Sequence, residues 1–115
     1  MRAISEMVLD ILMNAPGLMA LVSDNVYPIL APQTVQEPYV TYNIRMQGRA
    51  TKDVAKNADI SIRCFGSSFG QLLSVAEQVQ LALDETDVSF HFISQESAAD
   101  ADNYVIELEY KLIKK

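Results

Sequence analysis

The sequence predicts an α+β fold, an antiparallel sheet of about four main strands with helices packed on one face, in the order α-(β)-β-β-α-β-β. Two observations carry this. Segments beginning at Pro38, Ala58, Val88 and Tyr104 alternate apolar and polar residues with a period of two, so each strand has one dry face. These segments also fall into two pairs, and apolar residues at helical spacing precede each pair. Paired strands with helices set apart from them bury one sheet face and leave the other polar.

In the first segment, Ile4, Met7, Val8, Ile11 and Leu12 recur at helical spacing while Glu6 and Asp10 lie off that face. Asn14-Ala15-Pro16-Gly17 ends the helix. Asparagine suits a helix C-cap, and proline disfavours helix in the residue before it while tolerating a new first turn. A second short helix spans Leu18 to Val22 and is closed by Ser23-Asp24-Asn25. Val26 to Leu30 reads as a short extended piece that Pro28 holds at a sheet edge. Residues 31–37 have no period and form a loop.

The strand Pro38 to Met46 organises the chain. Val40, Tyr42, Ile44 and Met46 share one face, and Thr41, Asn43 and Arg45 the other. Its antiparallel partner is Ala58 to Phe65, with Ile60, Ile62 and Cys64 opposite Asp59, Ser61 and Arg63. Gln47 to Asn57 joins the two, and its only large apolar residue is Val54. This polar stretch reads as a long, exposed hairpin arm carrying Arg49, Lys52 and Lys56, the candidate partner-binding residues. A tight turn would have sufficed to join the strands, and long loops in compact domains are usually functional or disordered. The arm is therefore either a docking element that orders on a partner or an idle hairpin tip.

Ser68-Phe69-Gly70-Gln71 matches a capping box and starts a helix. Phe69, Leu72, Leu73, Ala76, Val79, Ala82 and Leu83 then follow at helical spacing. Val88 to Ile93 is a strand with Val88, Phe90 and Phe92 on one face, Ser94 to Asn103 an acidic turn region, and Tyr104 to Ile113 the last strand. The expected core places Val40, Tyr42, Ile44, Ile60, Ile62, Phe90, Ile106 and Leu108 under a helix face of Leu72, Leu73, Ala76 and Val79.

A chain of 115 residues, 50% hydrophobic, suffices for one compact core and is too short for two ordinary domains, so residues 1–115 are read as one domain. No apolar run approaches the roughly 20 residues of a membrane helix. Glu6 stands where a signal peptide would continue apolar, so the chain reads as soluble, with no membrane partner. The single cysteine, Cys64, excludes an internal disulfide and reads as a small core residue. A net charge of -6 begins any approach to DNA with repulsion, so no specific nucleic-acid binding is expected. The same charge suits a channel through which DNA must pass without sticking.

The sequence shows no constellation for catalysis, cofactor or metal. His91 lies opposite Phe90 and Phe92 with no assignable orienting carboxylate, and reads as a solvated or interface residue. Gly66 to Gly70 lacks the Lys-Ser or Lys-Thr of a phosphate loop. Asp100-Ala101-Asp102-Asn103 has Tyr104 where a calcium loop needs its third ligand, and lacks the glycine. Glu107 and Glu109 share a sheet face with Arg45 and Arg63, which favours cross-strand ion pairs or an oligomer contact over acid and base chemistry. No enzymatic activity is expected.

Leu18-Met19-Ala20-Leu21-Val22, Val26-Tyr27-Pro28, Ala31-Pro32-Gln33 and Pro38-Tyr39-Val40-Thr41-Tyr42, in that order, resemble the tail completion (tail terminator) proteins of long-tailed phages and prophages. The later strand, helix and closing strands follow the same layout, so the resemblance covers nearly the whole chain. One departure is the missing aromatic, often a tryptophan, near the start of the middle strand. The resemblance implies a homo-oligomer, a hexameric ring, at the head-proximal end of the tail in the virion, assembled in the host cytoplasm. It also implies the tail tube protein and the head connector protein as partners, with no catalytic residues and no cofactor. The alternatives are another phage neck protein, a head completion or adaptor subunit, or a small ligand-binding α+β domain. The last would need a concave pocket with convergent polar groups, which the sequence does not show.

Overall fold

The alternating segments become one sheet with helices on one side. In the computed structural model, residues 2–23, 25–32, 37–46, 58–86, 90–100 and 103–112 are described. The chain runs α1 (Arg2–Met13), α2 (Pro16–Val22), β1 (Val26–Pro28), β2 (Tyr39–Met46), β3 (Ala58–Gly66), α3 (Phe69–Asp84), β4 (Phe90–Asp100) and β5 (Asn103–Leu112). Five strands lie in the order β1-β2-β3-β5-β4. All neighbours are antiparallel except β1, which runs parallel to β2 with Val26 beside Val40. The sheet is therefore mixed, because the proline-bearing edge piece joins the ladder instead of standing apart.

Local chemistry sets the joints. Asn14 Nδ2 donates to the Asp10 carbonyl at 2.9 Å, closing α1, and Pro16 sits in the first turn of α2. The Ser68 hydroxyl accepts from the Gln71 amide at 3.3 Å, as the capping sequence requires. Pro38 precedes β2 through a cis peptide bond and is buried. Gly66, at the β3 end, is packed so closely that a Cβ would stand 3.1 Å from Leu72 Cδ2. A side chain there would require the Leu72 side chain to give way by a few tenths of an ångström.

The core is the inner sheet face pressed against all three helices. Val40, Tyr42, Ile60, Ile62, Cys64, Ile106, Leu108 and Tyr110 are buried under Leu72, Val75, Ala76, Val79 and Leu83 of α3, with Val8, Leu12, Leu18 and Val22 from α1 and α2 completing it. Ile44 and Phe90, expected in the core, are only partly buried and pack against its margin. Leu73, also expected there, is 44% exposed. The buried α3 residues recur at spacings of three and four from Leu72, and Leu73 sits about 100° round the helix from that stripe. Among the described residues no single helix is long and apolar enough to cross a membrane.

The region expected as an acidic turn is mostly strand. β4 continues through Ser94 to Asp100, and β5 begins at Asn103. Its exposed residues Gln95, Ser97 and Ala99 face the helix side but lie at the sheet margin. α3 meets this part of the edge strand through a polar contact, Gln80 Nε2 donating to Gln95 Oε1 at 3.2 Å, so no alternating apolar face is needed there and the sequence carries no period to read.

Tyr110 packs edge-to-face with Phe90 and Phe92, at ring-centroid distances of 6.5 and 5.5 Å. Its hydroxyl is buried with no hydrogen-bond partner among the described residues. Burial, with Asp84 and Cys64 adding to it, raises its pKa. Burial alone pushes the Cys64 thiol up to about 12.

Two outcomes follow from this packing. Leu72→Ala should cost roughly 2–5 kcal/mol in urea unfolding, while Leu73→Ala should cost about 1 kcal/mol or less; equal losses would contradict the assigned helix face. For Cys64, the unfolded thiol ionises near its ordinary value of 9.0 and the folded one only near 12. Above about pH 9 the unfolded state alone releases this proton, so stability should fall as pH rises toward 12. Cys64→Ala should flatten part of that fall in alkaline melts, Tyr110 supplying a contribution of the same sign.

Candidate functional site

The outer face of the sheet is where a partner can be met, and the strand register lays out its chemistry in rows. Thr41, Arg63, Glu107 and Glu96 line up across β2, β3, β5 and β4. The next row is Asn43, Ser61, Glu109 and Ser94, and the third is Arg45, Asp59, Lys111 and His91. At the far end, Tyr39 stacks on Phe65 with centroids 4.9 Å apart. Burial, and then the nearby Glu37 carboxylate, raises the Tyr39 pKa.

Charges on this face pair across strands as their types require. Arg63 Nε donates to Glu107 Oε2 at 2.9 Å, and Arg45 lies 3.4 Å from Asp59. The sequence suggested pairing of these arginines with Glu107 and Glu109; Arg63 follows that reading and Arg45 takes Asp59 instead. Glu96 stands directly opposite Glu107, a like-charge pair that is unfavourable on a sheet, and Arg63 on the other flank of Glu107 offsets it.

One feature of this face has almost no sequence signal. The register slips between Phe92 and Ser94, so Ile93 is an extra residue in β4. Ile93 is 59% exposed and lines a shallow concavity of about 510 Å³ with Arg45, Arg63, Glu107 and Glu109. The adjacent apolar residues Phe92 and Ile93, which break the alternation, are its sole trace in the sequence. The concavity has both charge signs distributed along its length and no convergent polar set, which suits a broad protein contact better than a small ligand.

His91 is exposed, at the margin of this face opposite Lys111. Among the described residues no group of three or more His, Cys, Asp or Glu side chains is placed to hold a metal ion. Arg49, Lys52 and Lys56 lie outside the described residues. Their stretch leaves and rejoins the sheet where Met46 pairs with Ala58, beside the Arg45 row.

The family model described as tail completion protein gp17 matches residues 6–114. The chain belongs to this family of phage tail completion proteins. Among solved structures, a chain of the virion of a native gene transfer agent (GTA) particle is 19% identical, with a TM-score of 0.69 over 91% of this chain and 89% of that one. The bacteriophage SPP1 gp17 protein is 15% identical, with a TM-score of 0.59 over 99% of this chain and 91% of its own. At these identities the likeness is one of fold. No curated protein sequence matches the chain. As a tail completion protein it is a structural component of a phage-type virion and works against other structural proteins of that particle.

Because the Arg63 and Glu107 side chains keep 54% and 27% exposure, their ion pair should add little to stability. Arg63→Ala should change the unfolding free energy by about 1 kcal/mol at most. A loss of several kcal/mol in urea titration would mean that the outer face is structural and not available to partners.

Proposed function

We propose that this tail completion protein forms a closed ring, a hexamer, at the head-proximal end of the tail, where it stops polymerisation of the tube and presents a surface to the head connector. Family membership over residues 6–114 is the observation that carries the reading. The physical features agree with it. A subunit that works by contact needs a rigid scaffold and wide polar surfaces, and the outer face offers charged rows with no convergent catalytic set. Subunits related by a rotation that closes give rings through heterologous contacts. The ring is non-enzymatic and makes no sequence-specific contact with DNA, in keeping with a net charge of -6.

The basic stretch between β2 and β3 is the docking arm in this reading. Arg49, Lys52 and Lys56 pair with acidic groups on the tail tube or on a neighbouring subunit, which supplies specificity and speeds encounter. Replacing all three with serine should leave the melting temperature nearly unchanged, since surface substitutions usually stay within about 0.5 kcal/mol. Tail assembly should nevertheless fail, giving overlong tubes or tails without heads. Full complementation of a deletion phage by the triple variant would end the docking role. A wild-type chain that stays monomeric in light scattering at high concentration, with tube protein present, would end the ring.

A further inference from the structure

Among the described residues the sheet has two unpaired edges of different character. On one side β4 is eleven residues long, and among the described residues no strand pairs with its outer edge. From Ser94 to Ala99 it has no proline or lysine, and its side chains are small or polar. Long, regular edges of this kind are templates for another strand, and proteins that must stay alone blunt them. On the other side β1 is only three residues long and pairs with β2 only from Val40 to Tyr42. Among the described residues no strand pairs with the remainder of β2 on that side, Asn43 to Met46, which is an edge as well.

The chain is turned off the end of β1 by a tight and strained device. Ile29 has φ of 62°, a region a β-branched residue rarely adopts, and the Leu30 amide donates back to the Pro28 carbonyl at 2.6 Å, closing a three-residue turn. Ile29 and Leu30 stand 69% and 80% exposed as a result. Beside them, at the bared β2 edge, lies a niche of about 130 Å³ whose lining includes Ile29, Tyr42 and Ile44.

We infer that the outer edge of β4 in one copy of this chain takes the free edge of β2, Asn43 to Met46, in a second copy, so that the sheets run on from subunit to subunit. Direction and charge select this pairing. Because β2 and β5 run one way and β3 and β4 the other, β4 is antiparallel to β2. A copy set beside the first in the same orientation continues an antiparallel ladder with its helices on the same side. Glu96, with Glu107 behind it, puts a carboxylate on the outer face of the β4 margin, and Arg45, whose side chain stays 79% exposed while it pairs with Asp59, puts a guanidinium on the β2 margin. A two-fold β4–β4 pairing would instead bring Glu96 toward Glu96, with both Glu107 side chains behind them. The unequal edges give a head-to-tail contact, which a slight rotation per subunit closes into a ring.

This rests on the ring reading above and deepens it by naming the surfaces. Positions 45 and 96 lie three strand spacings and two rows apart within one chain, about 14 Å across the strands and about 13 Å along them, well beyond the roughly 7 Å that a disulfide spans between Cα atoms. Any disulfide between them must therefore join two copies, and the buried Cys64 will not compete. The full chain carrying Arg45→Cys and Glu96→Cys, oxidised at concentrations where the wild type associates, should give a ladder of covalent multimers on non-reducing gels, and neither single variant should give more than traces of dimer. As a second reading, Arg45→Glu and Glu96→Arg should each weaken association about two- to fivefold, and a one-to-one mixture of them should restore it. A wild type that associates while the double-cysteine chain gives no ladder overturns the edge contact and leaves the ring standing. Efficient dimers from Glu96→Cys alone overturn it in favour of β4–β4 pairing. A wild type that never associates, even at high concentration with tube protein present, overturns the ring, and the contact with it.

Discussion

The structure depends on one dry interface, the inner sheet face against the helices. Central residues such as Ile62 and Leu108 are cross-strand neighbours, and both are fully buried. Each fully buried aliphatic side chain of this size contributes about 1.5–3 kcal/mol. Because strand side chains alternate strictly, burying this set fixes which residues stand on the other face. A one-residue slip of β3 would send Arg63 and Asp59 into the core, so the charged outer face is held in register by the apolar one. Function on the outer face is in this sense built by packing on the inner face.

The charged rows of the outer face carry little of that burial. Their ion pairs are partly exposed and weak, and the bulge at Ile93 places an apolar side chain where water would otherwise meet only polar groups. α3 covers β3 and β5 and leaves β4 at the margin. A subunit arranged this way keeps its fold independent of its contacts, which suits a protein that must be stable before its partners arrive.

The elements that bury a face were legible in the sequence. The period-two runs of Val40 to Ile44 and Ile60 to Cys64, the Asn14 to Gly17 break and the Ser68 cap each correspond to an observed joint or strand. What failed did so where burial is incomplete. Leu73 sits next to Leu72 and satisfies a loose helical pattern, yet only the three-and-four spacing from Leu72 reaches the sheet. The extension of β4 to Asp100 was hidden because Ser97, Ala98 and Ala99 answer to no core. The parallel pairing of β1 was out of reach for a different reason, since three residues carry no direction in their composition. The outer-face ion pairs were legible in kind, as opposite charges on one face, while the choice of Asp59 by Arg45 required the register. Arg49, Lys52 and Lys56 were singled out by charge and loop length alone, and lie outside the described residues.

The proposed ring of subunits at the junction of tail and head is the point on which the functional reading stands or falls. Cryo-electron microscopy of the virion that contains it would test that most directly. The expected result is a closed ring of copies of this fold between the last tier of the tail tube and the head connector, with the helices of successive copies on the same side. Finding the chain as a single copy, distributed along the tube or absent from that junction would contradict it.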